Sequence, residues 1–300
     1  MAQFLKPNVI RPGHLTANFR KKRFFYEKFS SIASILQYGT QTTPVSVPTL
    51  PTAAQDNIAR IITSNGNVLD LYSTTAQTLL PIPHATKGWD ISCDKVNNEC
   101  IEIVPGGNHA LSPLAMVAGT DSNFYFSATM ELTDVSGTDQ FLIGWRKQEA
   151  FIVPVSFLTT GDALYTDFCA LGFCTTSANP QVVKQASDLN NGGSTTVSSS
   201  AFTWADTLKH KVECWVVKRV AKWFINGVPL GASISKDADG GAITAQATVV
   251  PTAFTFDTGD TLIPFLFLRH DATSPDANYL SEMEVGFLED KFSDPTSRNL

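Results

Sequence analysis

The chain has 300 residues, a formal net charge of −6, 43% hydrophobic residues and only 17% charged ones. That content supports a sizeable core and excludes a chain that is disordered throughout. With 32 Thr, 24 Ser, 20 Phe, 19 Gly and 16 Pro, the composition is that of short β-strands joined by turns, and it argues against a coiled coil, a helical bundle or a helical repeat.

The charge is unevenly placed. Residues 1–28 carry Lys6, Arg11, Arg20, Lys21, Lys22, Arg23 and Lys28 against Glu27, a net +6, while the other 272 residues carry 15 bases and 27 acids, a net −12. An acidic body repels nucleic acid, so the basic segment predicts an anionic partner of its own. Lys6, Pro7, Arg11 and Pro12 interrupt any apolar leader, so no export segment is expected. The most apolar run, Leu262 to Leu268, holds Pro264 and is too short to span a membrane. Five cysteines (Cys93, Cys100, Cys169, Cys174 and Cys214) are an odd number, and without an export leader they are expected to be reduced.

In chain order, residues 1–18 show no periodicity. Asn18 then precedes a helical pattern: Phe25, Phe29, Ile32 and Leu36 step by four, three and four, and Gly39 supplies the stop. Either this helix docks on the chain's own body or it lays its apolar stripe on another surface. The Arg20-Lys21-Lys22-Arg23 cluster sits at the helix N-terminus, where the dipole disfavours cations, and so predicts a partner. Residues 40–52 carry Pro44, Pro48 and Pro51 and no charge, an extended linker. A short helix is expected next, capped by Thr52 with Ile58, Ile61 and Ile62 inward.

From about His84 the period becomes two. Gly88 to Cys93 and Cys100 to Pro105 read as a hairpin around residues 94–99. Phe124, Phe126, Ala128, Met130 and Leu132 alternate with Tyr125, Ser127, Thr129 and Glu131, a half-buried strand. Further strands are expected over Gln140 to Arg146, Tyr165 to Phe173, His210 to Val217, Lys222 to Ile225, from Phe254, over Pro264 to Arg269, and over Glu282 to Leu288. Asn226-Gly227 marks a two-residue turn. Strands at this density mean a sandwich or a barrel.

Three segments carry a resemblance. His210 to Gly227 (HKVECWVVKRVAKWFING) resembles the strand, turn and strand of concanavalin A-like jelly rolls, the fold of legume lectins and laminin-G-like modules. Phe254 to Leu268 (FTFDTGDTLIPFLFL) and Leu280 to Glu289 (LSEMEVGFLE) resemble the strands that follow. Tyr165 to Phe173, Ser187 to Gly193 and Trp204 to Glu213 look like a group of tailed-phage virion proteins built on this fold. The likeness covers residues 84–290. It implies an all-β concanavalin A-like jelly-roll sandwich with an N-terminal extended and helical arm. The organisation expected is a basic arm and Pro-rich linker (1–52), a connecting segment (53–83), the jelly roll (84–290) and a tail (291–300).

The chemistry is sparse. Glycoside hydrolysis needs two flanking carboxylates, and the E-x-D-x-x-E pattern of concanavalin-like glucanases is absent. Glu282 and Glu284 share a strand face that is expected to be solvated. Asp257 with Asp260, and Asp271 with Asp276, are turn residues that would supply oxygen ligands to calcium, though Asp in a turn more often caps its own backbone. The cysteine spacings do not fit zinc. His270-Asp271 comes with no nucleophile motif, and the five Trp residues fall in strand patterns and are expected in the core.

These observations lead to an expected non-enzymatic virion protein with no cofactor, metal or catalytic residue. A capsid decoration protein is the first reading. It would be assembled in the host cytoplasm, would be a homo-oligomer, and would be fixed to the major capsid protein or another virion protein through Arg20, Lys21, Lys22, Arg23, Phe25, Phe29, Ile32 and Leu36. Deleting residues 1–50 is then expected to leave a folded body. The alternative is a tail-fibre or receptor-binding module that recognises host-surface carbohydrate.

Overall fold

The computed structural model describes residues 19–29, 35–41, 58–63, 65–73, 81–93, 100–107, 112–136, 138–151, 165–174, 179–189, 195–270 and 277–290. In chain order the strands are β1 (Phe19–Lys28), β2 (Ile35–Gln41), β3 (Ile58–Thr63), β4 (Val68–Ser73), β5 (Ile82–His84), β6 (Gly88–Asp90), β7 (Cys100–Pro105), β8 (Met116–Val117), β9 (Phe124–Leu132) and β10 (Thr138–Lys147). They continue as β11 (Phe168–Cys174), β12 (Gln181–Asp188), β13 (Thr196–Trp204), β14 (Lys209–Val217), β15 (Val220–Ile225), β16 (Val228–Pro229), β17 (Ile234–Lys236), β18 (Ala242–Gln246), β19 (Thr261–His270) and β20 (Asn278–Asp290).

They form an all-β sandwich of two sheets, consistent with a jelly roll. The first sheet runs β16-β15-β14-β9-β20-β6-β5, with β1 also paired to β20. The second runs β13-β12-β11-β10-β19-β7-β4-β3-β2, with β8 beside β19, and β17–β18 form a separate ribbon. The alternation of β9 decides which face is which: Phe124, Phe126, Ala128, Met130 and Leu132 join the main core between the sheets, and Tyr125 does not. Trp145 of β10 closes the gap from the other side, its ring 4.7 Å from Phe124 and edge-on to it. Burying each such side chain stabilises the fold by about 1.5–3 kcal/mol. Asn226 and Gly227, with φ of 53° and 77°, make the expected two-residue turn, pairing Ile225 with Val228.

Several expectations need correction. No helix occurs among the described residues. Phe19–Lys28 is a strand paired antiparallel to β20, and Ile58–Thr63 is a strand between β2 and β4. Phe25 and Phe29 are buried in the main core. Between them Glu27 also points inward, fully buried, and accepts hydrogen bonds from the Thr63 hydroxyl (2.6 Å) and the Asn67 amide (2.8 Å). The inward set 25, 27, 29 is a strand alternation whose middle member is polar, so the two Phe residues imitate a helical i, i+4 step. Leu36 lies in β2, and Ile32 lies outside the described residues.

The segments 88–93 and 100–105 are not a hairpin. β6 joins the first sheet and β7 the second, so the chain crosses between layers there. Phe254 to Phe256 is irregular, touching β15 by one bridge, Val220 to Thr255. Phe265 and Phe267 face outward in a second cluster with Leu142, Phe168 and Tyr165, while Leu262, Leu266 and Leu268 of β19 face inward. That outer cluster surrounds a fully buried ion pair, Arg146 to Glu102 at 2.6 Å, which also receives the Tyr165 hydroxyl at 2.7 Å.

Two predictions follow from the packing. Because β1 fills core space, deleting residues 1–50 should prevent cooperative folding, and Phe29→Ala alone should cost roughly 3–5 kcal/mol, read from urea denaturation.

The second concerns His210 on β14. Its ring packs edge-on against Trp204, with centroids 4.7 Å apart, and its Nδ1 accepts from the Asn226 amide at 2.9 Å. Burial pushes its pKa down to about 4, against the opposing pull of Asp237. Between pH 6.5 and 4 the unfolded chain takes up a proton that the folded chain refuses, so stability is lost as the pH falls through that window. The expected loss is about 3 kcal/mol, and His210→Gln, neutral throughout, should remove most of it in denaturation curves at the two ends.

Candidate functional site

The outward face of the first sheet is set by register. β9 is flanked by β14 and β20, so Ser127 lies between Glu213 and Glu284, Thr129 between Lys211 and Glu282, and Tyr125 between Trp215 and Gly286. This places carboxylates, lysines, hydroxyls and two aromatic rings on one face, in rows across three strands. Period two makes the placement automatic: residues 125, 127, 129 and 131 must share a face once Phe124 and Phe126 are inside.

Glu284 does not lie on a solvated face as expected. It is 5% exposed, accepts a hydrogen bond from the Tyr125 hydroxyl, and lies 3.4 Å from Lys211 Nζ and 3.9 Å from Arg23. Burial pushes the Tyr125 phenol well up, and the bond to Glu284 adds to it. Glu213, 4% exposed, accepts from the Trp215 indole at 3.1 Å and pairs with Lys21 of β1. Glu131 pairs with Lys87 at 2.5 Å.

Counter-charges for the basic cluster are present within the chain. Lys21 pairs with Glu213, Lys22 with Glu289 at 3.3 Å and Arg23 with Glu284. The backbone of Arg20 pairs with Glu289 in the sheet. Of the residues expected to form one attachment surface, Lys22 and Arg23 are exposed, whereas Phe25 and Phe29 are core.

Beside these rows lies a cleft of about 580 Å³, bounded by Lys28 of β1, Thr129 of β9, Lys209, Lys211 and Glu213 of β14, Glu282 of β20, and Asp237 and Asp239 of the β17–β18 ribbon. Its walls carry both signs: Lys28, Lys209 and Lys211 against Glu213, Glu282, Asp237 and Asp239. Thr129 is 6% exposed, and its hydroxyl is buried without a hydrogen-bond partner. Buried hydroxyls in proteins are normally paired, so an unpaired one lining a cleft marks a position for a ligand's polar group. A second, more apolar cavity of about 470 Å³ lies at Trp223, Leu230 and Val250.

Asp257 and Asp260 meet Asp167, with one carboxylate oxygen of each within 4.8 Å of the others. Lys147 enters this group, 2.8 Å from Asp167 and 3.0 Å from Asp260, and these bonds push its ammonium pKa up. The chain thus supplies a cation of its own there. Asp271 and Asp276 lie outside the described residues. Cys93, Cys100, Cys169 and Cys214 are free and buried, and burial pushes the Cys169 and Cys214 thiols well up. The two Glu residues of β20 were legible as same-face residues, whereas Trp215, expected in the core, lies on the outer face beside Tyr125. That β1 would cover them was not, because it requires the pairing of residues 19–28 with 282–290.

No protein-family model matches this chain, and no curated protein does. Among solved structures it is similar to the CBM2 module of the evolved Dit of Lactobacillus casei BL23 phage J-1, at 8% identity and a TM-score of 0.39 over 90% of this chain and 97% of that one. It is similar to a Lotus tetragonolobus seed lectin at 9% identity and a TM-score of 0.46 (89% and 99% covered), and to the laminarinase from Rhodothermus marinus at 10% and 0.42 (91% and 99% covered). At these values the cleft itself, not the likenesses, carries any functional reading.

Gly286 tests the geometry of the face. A Cβ there would lie 2.4 Å from the Lys22 carbonyl and 2.9 Å from the Tyr125 ring. Gly286→Ala should push β1 and Tyr125 apart and cost roughly 1–3 kcal/mol. The measurement is chemical denaturation, with the near-ultraviolet tyrosine signal changing in the native state.

Proposed function

We propose that this protein is a non-enzymatic glycan-binding module whose site is the cleft between β1, β9, β14 and the β17–β18 ribbon. The observation that carries the reading is the lining: cations and carboxylates in near balance around the unpaired Thr129 hydroxyl. A neutral, hydroxyl-rich chain presents donors and acceptors in the same mixed way, whereas a polyanion would be repelled by Glu213, Glu282, Asp237 and Asp239. Catalysis is not proposed, because hydrolysis needs two carboxylates free to give and take a proton. Glu213 and Glu284 are each already bonded to a lysine and to an aromatic side chain.

Carbohydrate recognition takes precedence over capsid decoration because the basic cluster is engaged within the chain. Joined to the resemblance of residues 165–213 to tailed-phage virion proteins, the proposal is a recognition module that meets host-surface carbohydrate from the particle. Titration calorimetry against neutral oligosaccharides should show saturable binding without product release. Thr129→Val and Lys211→Ala should each weaken it about tenfold, the loss of one or two hydrogen bonds. Binding unchanged in both variants, or turnover of the oligosaccharide, would sink the proposal.

A further inference from the structure

One cation on the outer face sits where no ion pair alone requires it. The Lys21 ammonium lies 4.9 Å from the centroid of the Tyr125 ring and 5.4 Å from that of Trp215, while it pairs with Glu213. Two aromatic faces and a carboxylate around one ammonium form a cage for an organic cation, since the ring quadrupoles and the carboxylate attract the same charge. The cage is rigid. Tyr125, Trp215, Phe224 and Leu288 form a small buried cluster of their own on this face. The Tyr125 hydroxyl is fixed by Glu284, and the Trp215 indole by Glu213.

The occupant is held less firmly than the cage. The Lys21 side chain is 31% exposed, against 5% for Glu213. The register of β1 against β20 shifts between Arg23 and Phe25. Beyond that break the strand is anchored by Phe25, Glu27 and Phe29 in the interior. Before it, the side chains of residues 21–23 are tied by ion pairs and cation–π contacts at partly exposed positions, and the backbone by its ladder with residues 286–290.

We propose that Tyr125, Trp215 and Glu213 form an alkylammonium-binding subsite that Lys21 fills in cis, and that an amino sugar with a free amine is the ligand that displaces it. The ligand class rests on the glycan-binding reading, since Glu213 lines both the cleft and the cage. The cage itself does not depend on that reading. Residues 19–23 lift at the register break, giving up their ladder with residues 286–290 and the Lys21–Glu213 pair, the ligand's ammonium takes the place of Nζ between the rings, and the adjoining sugar extends into the cleft. No covalent bond is made or broken.

The test uses the full chain with Lys21→Ala, and Lys21→Met as a second variant that keeps the stem over the rings. Tetramethylammonium is the bare-cation probe, a glucosamine oligosaccharide at mildly acidic pH the cationic glycan, and the fully N-acetylated oligosaccharide the neutral control. Lys21→Ala should bind tetramethylammonium and the glucosamine oligomer roughly tenfold more tightly than the wild type, with a saturable tryptophan fluorescence change. The neutral oligomer should gain nothing, and adding Glu213→Gln should cancel the gain. If neither folded variant gives a saturable response to tetramethylammonium, the cage is wrong, whatever the neutral glycans do. If the cation binds and none of the oligosaccharides does, the cage stands, and both the amino-sugar assignment and the glycan-binding reading fall.

Discussion

Glu213 and Glu284 flank Ser127 in one row of a sheet face, two strands apart, with almost no access to water. Two neighbouring carboxylates in that setting are tolerable only if cations and hydrogen bonds reach them, because desolvation of an unpaired charge costs several kcal/mol. Lys211 is delivered by β14 itself. Lys21 and Arg23 must come from elsewhere, and β1 brings them. The basic start of the chain is thus the counter-charge of an acidic sheet face.

That arrangement decides where a ligand can act. β1 adds an edge to the first sheet, and its last residue, Lys28, becomes one wall of the cleft. The same strand carries Lys21 over Tyr125 and Trp215, so the aromatic surface most suited to binding is covered in the resting chain. Glu27 fastens the strand to the β3–β4 turn with neutral donors, so that beyond the ladder both halves share with β20 the inner half of β1 is held by burial and hydrogen bonds, and the outer half by ion pairs. Salt screens the latter far more than the former, so the two halves of one ten-residue strand respond differently to their surroundings.

The strands from β9 onward were legible in the sequence wherever one face is apolar and the other polar. β9, β14 and the Asn226-Gly227 turn are read directly from period two and from turn chemistry. Legibility failed where both faces are apolar or where an inward position is polar. β19 has Leu on one face and Phe on the other, so periodicity could not say which layer filled the core, and the larger side chains pack outside around Arg146 and Glu102. In β1, Glu27 breaks the apolar alternation, and Phe25 and Phe29 are equally compatible with a helix. Pairing partners more than 250 residues away leave no local signal.

The candidate site divides the same way. Which residues of β9, β14 and β20 share the outer face follows from their alternation alone, so Tyr125, Glu213, Trp215 and Glu284 could have been grouped as soon as the three strands were assigned to one sheet. What local pattern could not supply is the order β14-β9-β20-β1, since β9 and β20 are joined across nearly half the chain. Order, not composition, turns four ordinary side chains into a paired-carboxylate face with aromatic rings beside it. The solvated strand face expected for Glu282 and Glu284 was the right inference for a sheet edge. It fails for Glu284 because β20 is an interior strand, with β9 on one side and β1 on the other, and Arg23 of β1 and Lys211 of β14, not water, lie within reach of that outward carboxylate.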